Sequence, residues 1–190
     1  MLKAVFLDRD GVINRTIIRD GRPFAPLSLD QFEILPDVEK ALLLLRQAGL
    51  LLIVVTNQPD VGHGLVPCEV VEAMHARLRE LLPIDDIEVC YSTQTEQSYR
   101  RKPQPGMLLE AAAAWKIDLK QSFMVGDRWS DVEAGRAAGC RTIWIQRHYQ
   151  EQQAVRYDFV ALSLLEASHT ILDQISSDRL FTRYDQRLEP

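Results

Sequence analysis

Two carboxylates one residue apart, Asp8 and Asp10, follow the apolar run Ala4 to Leu7 in the segment Asp8-Arg9-Asp10-Gly11. At the end of a buried strand, one carboxylate can attack phosphorus while the other handles a proton, the covalent strategy of enzymes that form aspartyl-phosphates. The same pair also suits a magnesium or calcium site without catalysis, or a solvated turn. Three further segments carry complementary chemistry. Thr56-Asn57-Gln58 offers a hydroxyl and two amides that can donate to phosphate oxygens, and equally suits a helix N-cap or a turn. In Arg100-Arg101-Lys102-Pro103, Lys102 is a flexible point charge suited to neutralising phosphate, Arg101 can reach a more distant anion with its planar fork, and Arg100 suits a solvated loop. In Gly126-Asp127-Arg128-Trp129-Ser130-Asp131, Asp127 can complete a hard-oxygen magnesium site, and Asp131 either ligates through water or caps a helix.

Each of these segments sits where an element must end. The apolar runs Ala4 to Leu7, Leu50 to Val55, Ile87 to Cys90, Ser122 to Val125 and Thr142 to Ile145 have the length and composition of strands buried on both faces. Helical patterns lie between them: Val38 to Ala48 stopped by Gly49, Cys68 to Leu82 stopped by Pro83, Met107 to Lys116, and Asp131 to Ala138 stopped by Gly139. Alternating strands and helices predict an α/β fold with a Rossmann-like, doubly wound parallel sheet. Ligands of such sheets bind at the carboxyl ends of the strands, which is where the acids, the hydroxyl, the amides and Lys102 converge. Asp158 to Ala161 adds a late strand and Leu164 to Ile175 a last helix. The expected organisation is one domain over residues 1–175 and a polar C-terminal tail over 176–190.

Composition narrows the function classes. The chain has 190 residues, 46% of them hydrophobic and 26% charged, which supports one buried core and excludes the disordered class. Its net charge of -5, with no basic stripe, argues against a nucleic-acid partner. The most apolar region, Ala41 to Val55, is interrupted by Arg46, Gln47 and Gly49 and is too short to span a bilayer. Three scattered cysteines, Cys68, Cys90 and Cys140, point to a reducing, cytoplasmic setting.

With these motifs in this order, the chain resembles the haloacid dehalogenase (HAD) superfamily of phosphatases, over roughly Ala4 to Ile145. More narrowly it is similar to the D-glycero-D-manno-heptose 1,7-bisphosphate 7-phosphatases and their histidinol-phosphatase relatives (subfamily IIIA). The segments that carry this likeness are Phe6 to Asn14, Val54 to Gln58, Arg101 to Met107 and Met124 to Arg128. The resemblance implies Asp8 as the nucleophile and Asp10 as the acid that protonates the leaving alkoxide and then activates water. It implies Mg2+ held by the Asp8 carboxylate, the Asp10 backbone carbonyl and the Asp127 carboxylate. Thr56 and Lys102 would hold phosphoryl oxygens, with Asn57, Arg101 and Arg128 on the substrate side. The implied activity is a magnesium-dependent phosphomonoesterase that removes the 7-phosphate of the heptose bisphosphate. Alternatives are a phosphatase for another small phosphorylated metabolite, such as histidinol phosphate, or a weakened phosphate-binding or regulatory homologue. The implied partner is a small phosphorylated sugar, with no membrane partner and a monomer or small homo-oligomer as the assembly.

The chain departs from that family in one loop. The relatives carry a zinc loop with four cysteine or histidine ligands, whose positions fall here on Cys90, Ser92, Ser98 and Arg100. Structural zinc takes four nitrogen or sulfur donors, so with Cys90 alone no zinc site is expected, and the loop must be held by packing and hydrogen bonds. His63 replaces a residue that is more often arginine, and is expected to be an ordinary loop histidine; His75, His148 and His169 show no metal spacing. The insertion from Arg15 to Pro36 is far below the roughly 50 residues of a free-standing domain, so no separate cap is expected and loops alone should cover the site. Arg15, Arg19 and Arg22 in that insertion are candidates for a second phosphate or for solvent.

Overall fold

The apolar runs become the core strands, because residues that alternate along each of them find a hydrophobic partner on both faces of one sheet. In the computed structural model, which describes residues 1–185, the order is β1 (Ala4–Leu7), β2 (Ile17–Arg19), β3 (Arg22–Phe24), α1 (Val38–Gln47), β4 (Leu51–Asn57), α2 (Pro59–Gly62), α3 (Cys68–Leu81), β5 (Asp86–Cys90), α4 (Gly106–Trp115), β6 (Phe123–Gly126), α5 (Trp129–Ala138), β7 (Arg141–Ile145), β8 (Phe159–Ala161) and α6 (Leu164–Asp185). Six strands form one sheet in the order β5-β4-β1-β6-β7-β8, and every neighbouring pair is parallel. This is the expected α/β Rossmann-like architecture.

The period of two is visible in the packing. Val5, Leu7, Leu52, Val54, Phe123 and Val125 join one core with α1, α3 and α6. Ala4, Phe6, Ile53, Val55 and Met124 join the other with α4 and α5. All four residues of β1 are fully buried. Burying a side chain the size of Phe6 is worth about 1.5–3 kcal/mol, so β1 anchors both layers. The chain runs outward from β1 through β4 to β5, then returns to β6 on the other side of β1. The sheet therefore reverses direction between β1 and β6, and a crevice opens at their carboxyl ends. Asp8 follows β1 and Asp127 follows β6, one on each side of that crevice.

Two elements differ from the sequence expectation. Helix α6 does not stop at Ile175 but continues through 176–185, within the segment expected to be a polar tail. Ile175 is buried, while Ser176, Ser177 and Asp178 face solvent, so the apolar period breaks just after Ile175. No Gly or Pro interrupts the helix, and Asp178 ties it to β7 by accepting from Arg141 (2.8 Å). Residues 186–190, also part of that expected tail, lie outside the described residues. Second, the insertion after β1 is not loop alone: β2 and β3 pair as an antiparallel hairpin, Ile17 opposite Phe24 and Arg19 opposite Arg22. Backbone contact from Gln150 N–H to the Gly21 carbonyl (2.7 Å) fixes its turn to the segment after β7. Among the described residues no helix is long and apolar enough to cross a membrane.

Candidate active site

The ends of β1, β4 and β6 and the loop before α4 deliver Asp8, Thr56, Asp127 and Lys102 into the crevice, all of them buried. Lys102 is the hub. Its Nζ donates to Asp8 Oδ1 (2.7 Å) and to the Val55 carbonyl (2.7 Å), and lies 2.7 Å from Asp131 Oδ1. Asn57 secures it: the Asn57 amide donates to the Lys102 carbonyl (3.0 Å) and its oxygen accepts from the Lys102 N–H (3.1 Å). Both ends of the Asn57 side chain are thus engaged with backbone, so the residue expected on the substrate side acts in this structure as the clamp on the Lys102 loop.

Asp8, Asp127 and Asp131 each offer an oxygen within 4.8 Å of the others. Three carboxylates face one ammonium, and the excess negative charge has consequences. Burial, despite Lys102 and aided by Asp131 and Asp10, pushes Asp8 up to about 7. Burial, then Asp8 and Asp131, holds Asp127 well above the carboxylate range. Burial works against the charge on Lys102, but Asp131 and Asp8 outweigh it and raise its pKa. Asp127 Oδ1 is buried with no hydrogen-bond partner, while Oδ2 accepts from the Tyr149 hydroxyl (2.6 Å). An orphaned carboxylate oxygen in an acidic, all-oxygen cluster fits a hard divalent cation. Asp131 does one of the jobs foreseen for it, capping α5 by accepting from the Arg128 N–H (2.9 Å), and adds one that was not, pairing with Lys102. Gly11 is obligatory here, at φ +89 and so close to Asp127 that a Cβ would collide with its carboxylate.

The Asp10 carboxylate is engaged elsewhere. Its Oδ1 accepts from Asn14 (2.9 Å), its Oδ2 from Gln58 (2.7 Å), and both from Arg9 (3.1 Å each). Gln58 also donates to Thr56 Oγ1 (2.9 Å), which joins the ends of β1 and β4. Asn14 and Arg9 were not singled out from the sequence, although both lie within the matching segment 6–14. Tyr149 and Glu151 carried no local signal at all.

A cleft of about 1260 Å³ opens above these residues, with Arg22, Arg101, Arg128, His63 and Trp129 on its walls. Of the hairpin arginines, only Arg22 lines it. Arg15 pairs with Glu33 at the surface (2.7 Å) and Arg19 stacks on Phe24. Arg101 donates to the Ser92 carbonyl (2.8 Å). Arg128 is held by Glu151, its Nε donating to Oε1 (3.0 Å). In the loop from Cys90 to Arg100, Cys90 Sγ lies 3.8 Å from Ser98 Oγ. Glu96 accepts from the Thr93 N–H (2.6 Å) and hydroxyl (3.0 Å), and Arg100 pairs with Glu88 and Glu110. Polar contacts thus hold this loop.

Residues 99–167 match the HAD-hydrolase-like family model. The D-glycero-beta-D-manno-heptose-1,7-bisphosphate 7-phosphatase of Rhodopseudomonas palustris is 36% identical over 148 residues, covering 72% of this chain and 79% of the relative. The corresponding phosphatase of Chlorobaculum tepidum is 31% identical over 193 residues, 93% of this chain and 89% of the relative. A crystal structure of the D,D-heptose 1,7-bisphosphate phosphatase of B. bronchiseptica, complexed with magnesium and phosphate, superposes with a TM-score of 0.75 at 26% identity, covering 91% of this chain and 99% of that one. Relatives of this identity and coverage, and a crevice whose acids and lysine come from two strand ends and the loop before α4, establish that the chain belongs to the HAD-like hydrolases, in the branch of the heptose bisphosphate phosphatases, and is a phosphoric monoester hydrolase.

Proposed function

We propose that this phosphatase removes the 7-phosphate of D-glycero-D-manno-heptose 1,7-bisphosphate through an aspartyl-phosphate on Asp8. The observation that carries the chemistry is the buried meeting of Asp8 and Lys102 at the floor of an open cleft, with the partnerless Oδ1 of Asp127 beside them. The substrate rests on the activity for which the relatives are named.

A carboxylate oxygen of Asp8 forms a bond to phosphorus as the bond from phosphorus to the sugar oxygen breaks. Asp10 gives its proton to the departing alkoxide. Asp10 then takes a proton from the water that adds to phosphorus, the acyl-phosphate bond breaks, and inorganic phosphate leaves with the Asp8 carboxylate restored. Thr56 and Lys102 hold the phosphoryl oxygens, whose charge must be neutralised for a transfer with little covalent assistance. Asp8 and Asp127, with the backbone of Asp10, would hold magnesium; when bound, it supplies the remaining neutralisation. Arg101 and Arg128 contact the sugar end of the substrate, with Asn57 supporting Lys102. The loop from Cys90 to Arg100 works without zinc. The activity resides in one domain that includes α6, in the cytoplasm, with no nucleic-acid or membrane partner; the acidic balance and three free cysteines support the setting and the partners.

A second reading, a phosphatase for another small metabolite such as histidinol phosphate, is favoured by one observation: Glu151 occupies Arg128. The test is phosphate release after complete removal of metals, with magnesium alone restored. Release of one phosphate from the heptose bisphosphate supports the proposal and the dispensability of zinc. Turnover of an aryl phosphate but not of the heptose would retain the mechanism and move the substrate. Silence on both would overturn the catalytic reading.

A further inference from the structure

Behind Asp10, a chain of polar side chains crosses the core to α3. Arg9 is fully buried. One terminal nitrogen donates to both Asp10 oxygens, the other lies 3.2 Å from His75 Nε2, and the guanidinium sits 5.7 Å from the centre of the Phe32 ring. Arginine carries donors only, so His75 Nε2 must accept. The ring proton is then on Nδ1, facing Glu72 Oε1 at 3.4 Å. Glu72 also accepts from the Tyr91 hydroxyl. Each contact along the chain therefore has a defined donor and acceptor, and one tautomer of His75 satisfies them all. Burial, then the charge of Arg9, pushes His75 down to about 4, in keeping with a neutral ring.

Of the three side chains that donate to Asp10, Arg9 alone touches both oxygens. The plane of its guanidinium thus sets the tilt of the Asp10 carboxylate. That plane is fixed at its far side by His75, since Arg9 Nε has no hydrogen-bond partner. We propose that His75 is a positioning residue for Asp10, acting through Arg9, with Glu72 holding the His75 tautomer. This rests on the reading of Asp10 as the proton donor. A histidine that only filled space would offer Arg9 nothing that an apolar side chain of similar volume lacks.

The consequence is a dependence on the leaving group. A sugar alkoxide needs the Asp10 proton to depart, whereas a nitrophenolate leaves well without it. The experiment compares kcat/KM for the heptose bisphosphate, or another sugar phosphate with the same primary ester, against 4-nitrophenyl phosphate, both with magnesium. His75→Leu should lower the alkyl value about tenfold more than the aryl value, a part of the roughly 10²–10⁴-fold that general acid catalysis supplies. His75→Gln, whose amide oxygen can accept from Arg9, should restore most of that selectivity. Glu72 is half exposed (50%), so Glu72→Ala leaves the core intact and keeps the test available if the leucine variant does not fold; it should show the same pattern, about threefold. Equal losses on both substrates, or a glutamine variant no better than leucine, would overturn the proposal. Asp10→Asn is the control. If it too loses both activities equally, the role of Asp10 falls and the inference with it; if it is selective while the His75 and Glu72 variants are not, the inference alone fails.

Discussion

Replacing Asp127 by asparagine should stabilise the metal-free protein while abolishing its response to magnesium. Asp127 is buried, its Oδ1 has no partner, and Asp8 and Asp131 stand within 4.8 Å. The neutral amide keeps an oxygen for the Tyr149 hydroxyl and removes the uncompensated charge. An unsatisfied buried polar group costs about 1–3 kcal/mol, more when charged, so a gain of about 2 kcal/mol is expected at pH 8. For a chain of this size that corresponds to a rise in Tm of about 4–8 °C. The sign depends on pH. Burial and the neighbouring acids raise the pKa of Asp127 in the folded state, so the folded protein holds that proton more tightly than the unfolded chain. The native aspartate is tolerated while protonated and becomes destabilising as pH rises through its folded pKa. The advantage of Asp127→Asn should therefore be present at pH 8 and nearly vanish near pH 4. Saturating magnesium at about 100 times its Kd should stabilise the wild type by about 2.7 kcal/mol and leave the variant unmoved. Thermal melts with and without magnesium at the two pH values read all of this. A variant less stable than wild type at pH 8 without metal, or one that still shifts with magnesium, would refute the cation-site reasoning.

Two further outcomes follow from contacts far apart in sequence. Tyr149→Phe removes the donor to Asp127 Oδ2, and loss of such an outer hydrogen bond should weaken magnesium binding about 10-fold or more, read by magnesium titration of activity. Glu151→Gln should free the charge of Arg128 while keeping a hydrogen bond to it; for about 1 kcal/mol of released pairing, the kcat/KM ratio of doubly over singly phosphorylated sugars should rise about fivefold, and an unchanged ratio would mean that Arg128 does not meet the second phosphate.

Much of the site was legible because its chemistry is written in short covalent spacings. Asp8 and Asp10 alternate at the end of an all-apolar strand, and Asp127 ends another; strand ends in a parallel sheet must share one edge, so their meeting followed from the hydrophobic pattern. The continuation of α6 was missed because Ser176, Ser177 and Asp178 are exposed and break the apolar period just after Ile175. The hairpin was missed because three-residue strands such as Ile17–Arg19, with a Pro in the partner, leave too short an alternation.

Residue types and local spacing thus determined the fold class and singled out Asp8 and Lys102, which the structure brings together. Partner choice was decided only in three dimensions. The Tyr149 hydroxyl reaches Asp127 across 22 positions, Glu151 takes Arg128 across 23, and His75 meets Arg9 across 66. None of these pairs shares an element, and each side chain is aimed by the packing of its own strand end, loop or helix. A linear sequence records which groups exist; the orientation that turns a buried histidine into an acceptor for one arginine exists only once the core has closed around it.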